Sequence, residues 1–244
     1  MNAARDSAVT RESHPDGEPL QDGISPLIGL TMLVARVALR SLTRVTVDGA
    51  IEQIPKTGPL ILAANHLSNA DGVLVGGWLT QAMGRRIHWL GKREMVEWPI
   101  LGRFVLGNSI HPVDRGTADI EAFRLARRIL DEGHVLMVFP EGTRSPTGGL
   151  QEAKDGLAIL ALKTGAPILP VGISGTDRFW PRGSRPHPGG RIAMRVGDAF
   201  TLPPDITQNP DRRAAKTAAT RLVMGRIAEL LPSRHRGAYG RPMG

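Results

Sequence analysis

The sequence predicts a single α/β domain whose mostly parallel or mixed sheet is flanked by helices and preceded by an N-terminal amphipathic helix. Three observations carry this expectation. Short apolar runs alternate with helical patterns over residues 45–232, the signature of strand–helix–strand units. The 41% hydrophobic and 22% charged fractions are those of a globular chain. The length of 244 residues suffices for one ordinary domain with a sizeable core, and neither an internal repeat nor an interdomain linker breaks it.

Residues 1–23 place Arg5 and Arg11 against Asp6, Glu12, Asp16, Glu18 and Asp22 and lack the basic start and apolar centre of a secretory signal. They are expected to form a disordered acidic tail. Residues 24–44 follow, with an uncharged stretch from Ile24 to Ala35 that is shorter than the roughly 18 to 20 residues needed to cross a bilayer. Arg36, Arg40 and Arg44 share one helical face, and Leu33 and Val37, with Val34, Ala38 and Leu42, supply an apolar one. Such a helix either lies in a membrane interface, with Leu33, Arg36, Val37, Arg40 and Arg44 in contact with lipid, or packs on its own domain. The periodicity of the two cases is the same.

Strands are expected at Val45–Val47, Leu60–Ala64, Ile87–Leu90, Ile110–Val113, Val135–Phe139, Ile168–Gly172 and Ile192–Val196. Helices are expected at Gly72–Met83, at Thr117–Glu132 stopped by Gly133, at Lys154–Thr164 stopped by Gly165, and at Pro210–Leu231, with Asn209 as cap and Pro232 as terminator. Thr176–Gly190 reads as a long irregular loop rich in Arg, Pro and Gly, with Trp180 available as an interfacial anchor. Residues 233–244 read as a basic C-terminal tail.

Charge and cysteine usage narrow the chemistry. The chain carries 31 Lys plus Arg against 23 Asp plus Glu, a net +8, and the acidic tail leaves +11 on the remainder. That excess implies a polyanionic partner such as anionic lipid, a phosphorylated small molecule or nucleic acid. With 4% aromatics the supply for base stacking is thin, and no nucleic-acid partner is expected. Zero cysteine removes disulfides, thiolate nucleophiles, thiolate zinc sites and iron–sulfur clusters.

Chemistry-bearing residues collect where strands end, the usual ligand position in open α/β sheets. Asn65-His66-Leu67-Ser68-Asn69-Ala70-Asp71 follows the second strand. If the chain turns there, Asp71 can fix the tautomer of His66 and stabilise its imidazolium; read alone, such a pair is more often a satisfied structural histidine. Phe139-Pro140-Glu141-Gly142-Thr143-Arg144-Ser145 follows the fifth strand. Its Pro and Gly force a turn presenting Glu141, Thr143, Arg144 and backbone amides that can hold a phosphate, or else form a polar surface loop. Val113-Asp114-Arg115 ends the fourth strand, where Arg115 can fork a phosphate. Ala166-Pro167-Ile168-Leu169-Pro170-Val171 reads as a buried structural strand. No G-x-S-x-G elbow supports a lipid hydrolase, because Gly172-Ile173-Ser174-Gly175 breaks it. Arg86 stands where a phosphate-binding P-loop ending in Gly91-Lys92 needs glycine.

In order and separation, NHLSNAD (65–71), NSIHPVDR (108–115), FPEGTRS (139–145) and APILPV (166–171) resemble the motif series of the glycerophospholipid acyltransferase family, 1-acylglycerol-3-phosphate type. The resemblance covers residues 60–173. It implies transfer of a fatty acyl group from acyl-CoA or acyl-carrier protein to the free hydroxyl of lysophosphatidic acid, giving phosphatidic acid, with another lysolipid such as a lyso-aminolipid as the alternative acceptor. Carried onto this chain, it makes His66 the general base and Asp71 its orienter. Glu141, Gly142, Thr143 and Arg144, helped by Arg115, would form the acceptor's phosphate site, and Asn65 and the turn amides are oxyanion candidates. No cofactor beyond the thioester co-substrate and no metal is implied. Attachment is expected to be peripheral or monotopic, on the cytoplasmic face of an anionic membrane. The second block is more polar than the family pattern, with Asn108, Ser109 and His111 in place of a Gly and an aliphatic run, which leaves the acceptor open.

Overall fold

The computed structural model describes residues 20–92, 109–113 and 118–240. Among them a seven-stranded sheet runs through the molecule in the order β1-β7-β6-β2-β5-β3-β4. In chain order the strands are β1 (Arg44–Gly49), β2 (Leu60–Ala64), β3 (Ile87–Lys92), β4 (Ile110–Val113), β5 (Val135–Val138), β6 (Ile168–Ser174) and β7 (Arg191–Val196). Every pairing is parallel except that of β6 with β7, so the sheet is mixed, as the alternating pattern predicted.

The helices are α1 (Pro26–Leu42), α2 (Ala70–Met83), α3 (Ala118–Asp131), α4 (Gly156–Thr164), α5 (Thr176–Phe179), α6 (Pro204–Thr207) and α7 (Arg212–Glu229). They cover both faces of the sheet, and the alternation of β2 shows how. Ile61 and Ala63 enter a core built with Ile129 of α3, Leu160 of α4 and Val223 and Ile227 of α7. Leu60, Leu62 and Ala64 point the other way, into a core with Leu39 of α1 and Leu74 and Leu79 of α2. All five residues of β2 are fully buried, which is why this central strand reads as a continuous apolar run rather than an alternating one.

Several boundaries moved. The last long helix begins at Arg212 because Asp211, rather than Asn209, is its cap: the Asp211 carboxylate accepts from the amides of Arg213 (2.8 Å) and Ala214 (3.1 Å). The stretch Thr176–Gly190 opens with the short helix α5 and is not wholly irregular. Trp180 folds back onto the domain, its Nε1 donating to Ser184 O (2.9 Å), so it is not a free membrane anchor. Residues 20–23, assigned to the acidic tail, are docked, because buried Arg85 binds Asp22 (3.1 Å) while its other nitrogens donate to the carbonyls of Gly58 and Gly133. Residues 233–240 likewise fold onto the body in two short 3-10 turns, with the amide of Leu150 donating to His235 O (2.9 Å).

Helix α1 starts at Pro26, with Ser25 Oγ accepting from the amide of Ile28 (3.3 Å). It lies against α2 along Gly76 and Gly77, where a Cβ would meet the Met32 sulfur at 3.1 Å and Arg36 Cγ at 3.2 Å. The outcome divides the predicted lipid contacts. Arg36 and Arg40 stack over the Trp78 ring of α2, each 5.5 Å from its centroid, and Arg36 also bonds Gln81, so these two arginines face the protein. Leu33 and Val37 point outward with Leu27, Leu30 and Val34, all at least half exposed. Among the described residues no helix is long and apolar enough to cross a membrane.

Candidate active site

Because β2 and β5 are parallel neighbours in the register Ala63 with Val138, the loops that leave their carboxyl ends emerge side by side at one sheet edge. NHLSNAD and FPEGTRS, about 75 residues apart in sequence, therefore interlock. The amide of His66 donates to Glu141 Oε1 (2.7 Å), the amide of Ser145 donates to His66 O (2.8 Å), and Arg144 Nη1 donates to Asn69 Oδ1 (2.9 Å). The Phe139 ring stacks on the His66 ring at a centroid separation of 4.0 Å and 14° between planes, fixing the imidazole's tilt.

Asp71, fully buried in the first turn of α2, accepts four hydrogen bonds. Its Oδ2 takes His66 Nδ1 (2.8 Å) and the amides of Leu67 (2.6 Å) and Ser68 (2.7 Å), and its Oδ1 takes the Thr176 hydroxyl (2.6 Å). Only an ionised carboxylate accepts at all of these sites, and the positive end of a helix favours that charge. His66 Nδ1 must then carry a proton, which leaves Nε2 as the lone-pair nitrogen. Nε2 has no protein partner among the described residues, and the His66 side chain is one-fifth exposed. A basic nitrogen with fixed tautomer, fixed tilt and an open side is equipped to take a proton from a hydroxyl.

The second motif divides between scaffold and surface. Glu141 is buried behind the histidine, and its Oε2 accepts from the amide of Gln151 (2.9 Å). Burial pushes its carboxyl above the usual carboxylate range, and the two backbone bonds only partly oppose this. A carboxylate so placed ties three loops together and presents no group to a phosphate, so the expectation that Glu141 belongs to the phosphate surface is revised. Thr143 is exposed and Arg144 is half-buried, so these two remain available at the mouth, whereas the Gly142 amide is spent on Phe139 O (3.0 Å). Asn65 is revised as well. It is buried with its carboxamide oxygen and one of its two N–H groups committed to Ile173 (2.7 and 2.9 Å), which locks the loop to β6 and makes this side chain a clamp. Arg115 lies outside the described residues.

Two contributors escaped the sequence reading. Thr176, the fourth partner of Asp71, stands 105 residues from it and was read only as the start of a loop. Lys154 reaches the FPEGTRS turn because its amide donates to Pro140 O (2.8 Å). Its methylenes fill the space where a Cβ on Gly142 would stand, 2.9 Å from Lys154 Cε, and Gly142 itself has φ 68°. Among the described residues Lys154 has no carboxylate partner, so its ammonium adds a free cation to the turn. Arg144 was visible inside a motif, whereas Lys154 carried no local signal.

His111 pairs with His88 (Nε2 to Nδ1, 2.9 Å), and His88 and His134 face each other at 5.2 Å between centroids. His88 and His134 stand at the amino-terminal ends of β3 and β5, opposite the edge that carries His66. Burial, helped by repulsion from these histidines and Arg86, depresses His88 to about 3, so it stays neutral at physiological pH.

The family model described as Acyltransferase matches residues 44–174. A 1-acyl-sn-glycerol-3-phosphate acyltransferase of Cocos nucifera is 36% identical over 135 residues, 52% of this chain and 42% of that protein. One of Pseudomonas aeruginosa is 26% identical over 225 residues, 88% of this chain and 79% of that protein. The chain spans about half the length of the plant relatives, 42% for Cocos nucifera and 43% for Arabidopsis thaliana. The crystal structure of the 1-acyl-sn-glycerophosphate (LPA) acyltransferase PlsC from Thermotoga maritima superposes with a TM-score of 0.65 at 26% identity, covering 83% of this chain and 79% of that one.

Proposed function

The chain belongs to the Acyltransferase family, whose model spans more than half of it, and we propose that it transfers a fatty acyl group from a thioester to the free hydroxyl of 1-acylglycerol-3-phosphate. The observation that carries this reading is the pairing of His66 Nδ1 with a four-fold hydrogen-bonded Asp71, which frees Nε2 for proton transfer.

In the proposed reaction the acceptor hydroxyl loses its proton to His66 Nε2 as its oxygen attacks the thioester carbonyl carbon. The tetrahedral adduct collapses with cleavage of the C–S bond, and the departing thiolate takes the proton back from the imidazolium, so the histidine ends neutral. No acyl-enzyme forms. Asp71 opposes the transient positive charge of the ring, and Thr176 holds Asp71 in place. General-base catalysis of this kind contributes about 10²- to 10⁴-fold. The turn at Thr143 and half-buried Arg144, with Lys154 beside it, supplies a hydroxyl and two cations for the acceptor's phosphate, and Arg115 is assigned to the same anion by its place in the sequence. The names of the relatives, acyltransferases of 1-acyl-sn-glycerol-3-phosphate, support this acceptor.

Substrate and product both reside in a bilayer, and α1 offers the docking surface. Its outward stripe of Leu27, Leu30, Leu33, Val34 and Val37 suits peripheral insertion into a lipid surface. The deciding experiment follows free thiol and lipid product with oleoyl-CoA or an oleoyl-carrier protein and lysophosphatidic acid in mixed micelles, for wild type and His66→Ala. Phosphatidic acid formation, with a loss of roughly a hundredfold or more in the variant, is expected. Undiminished turnover by His66→Ala would overturn the base assignment, and no thiol release from any donor and lysolipid would overturn acyl transfer.

A further inference from the structure

A second cationic concavity lies beside the catalytic loops. A cavity of about 460 Å³ is lined by Arg178, His187, Arg191 and Arg234 with Gly189 and Gly190, and no acidic residue lines it. It adjoins a second hollow of about 540 Å³ that shares Gly189, Gly190 and Arg191 and adds Arg40 and Arg44. Arg178, Arg191 and Arg234 are exposed and none has a carboxylate partner among the described residues, Arg234 Nε donating instead to His235 Nε2 (3.0 Å), so three cationic side chains line one cavity without a counter-charge. Exposed like charges that line one hollow repel each other, and an anion seated among them relieves that repulsion.

We propose that this cavity binds the phosphate groups of a coenzyme A thioester, the acyl donor; the proposal rests on the acyl-transfer reading above. Position is the first argument. Ser174, at the carboxyl end of β6, forms part of the wall, and its neighbour Ile173 is clamped by Asn65, the residue before His66. Since β2 and β6 run parallel, the cavity and the histidine open at the same sheet edge. A donor can thus anchor its nucleotide end here and extend its thioester towards His66 Nε2. Stoichiometry of charge is the second. Coenzyme A carries a diphosphate and a 3′-phosphate, which match three arginines and a histidine, whereas one lipid phosphate would leave most of those donors unused. The acceptor's phosphate is already assigned to the separate turn at Thr143 and Arg144. The size, a few hundred Å³, is that of a small-ligand site.

The test is a donor-truncation experiment on the full chain. Arg178→Ala, Arg191→Ala and Arg234→Ala, with Arg182→Ala as a control on the same loop, are assayed with oleoyl-CoA and with oleoyl-pantetheine, which keeps the thioester and lacks the phosphates. For each cavity variant the KM for oleoyl-CoA is expected to rise about tenfold or more, the loss of one charge-assisted contact, with kcat and the KM for oleoyl-pantetheine and for lysolipid nearly unchanged. Calorimetric titration with coenzyme A, which needs no turnover, is expected to show the same weakening. Equal losses with both donors, or unchanged coenzyme A affinity, would overturn the proposal. Loss of binding to anionic vesicles with coenzyme A affinity intact would give the cavity to lipid headgroups and also overturn it. If wild type binds coenzyme A through these arginines yet transfers no acyl group to any acceptor, the acyl-transfer reading fails and the phosphate site stands.

Discussion

Asp71→Asn separates the charge of the carboxylate from its geometry. Oδ2 faces the amides of Leu67 and Ser68 at 2.6 and 2.7 Å, so the oxygen of an asparagine must occupy that position, and its NH2 is directed at Thr176 Oγ1. The oxygen still accepts from His66 Nδ1, and the ring therefore keeps its tautomer. What disappears is the negative charge opposite the imidazolium. Unit charges about 4 Å apart attract by about 4 kcal/mol at an effective dielectric of about 20. With the His66 side chain one-fifth exposed, screening reduces this to about 2 to 3 kcal/mol, or roughly 30- to 150-fold in kcat. Asp71→Ala, which also strands two buried amides and Nδ1, is expected to lose about 10³-fold or more and to melt earlier. The assay is steady-state thiol release for wild type and both variants, paired with thermal unfolding. If Asp71→Asn were as inactive as His66→Ala while melting like wild type, the amide would have reversed the tautomer, and the account of Oδ2 as an anchored acceptor would be wrong.

Four further outcomes are expected. Glu141→Ala should destabilise the protein by about 2 to 5 kcal/mol, because two buried amides lose their acceptor, and should lower kcat more than it raises the acceptor KM; a pure KM effect would return Glu141 to the phosphate site. Lys154→Met, which keeps the packing on Gly142, should raise the KM for lysophosphatidic acid about tenfold without affecting an acceptor that lacks phosphate; equal effects on both acceptors would remove Lys154 from the anion site. Burial depresses His88 in the folded protein to about 3, below the ordinary imidazole value of about 6.5, so the stability its neutral form supports is complete above about pH 6.5. That stability is lost at about 1.4 kcal/mol per pH unit as pH falls towards 3. His88→Leu should flatten this limb of a denaturation series taken at successive pH values, and an unchanged slope would count against the assignment. Replacing both Leu30 and Val34 by Asp should abolish pelleting with anionic vesicles while preserving the melting temperature, and continued pelleting would rule out the outer face of α1 as the docking surface.

Much of this protein was legible in one dimension, for identifiable reasons. A fully buried central strand must be an unbroken apolar run, so Leu60–Ala64 was placed to the residue. Groups that act at the carboxyl edge of a parallel sheet must follow strands directly, so His66, Asp71 and the 139–145 turn stood out in the sequence. Periodicity also gave α1 its two faces, but it could not say which of them meets the protein. Gly76 and Gly77 let α2 approach the side that carries Arg36, Trp78 captures Arg36 and Arg40, and the apolar stripe is left for the outside. Residue type likewise made Glu141 and Asn65 look like ligands, yet burial turned both into clamps, because a polar group removed from water must spend its bonding capacity on the backbone around it. Thr176 and Lys154 had no sequence signal, and of the cavity arginines only Arg178 stood in a stretch, 176–190, that the sequence marked as Arg-rich. Their roles come from strand order, which sets β6 beside β2 and brings a hydroxyl 105 residues away within 2.6 Å of Asp71. Local pattern follows from hydrogen-bond geometry within a few residues, whereas these pairings exist only once the sheet closes its long-range contacts and the two cores exclude water.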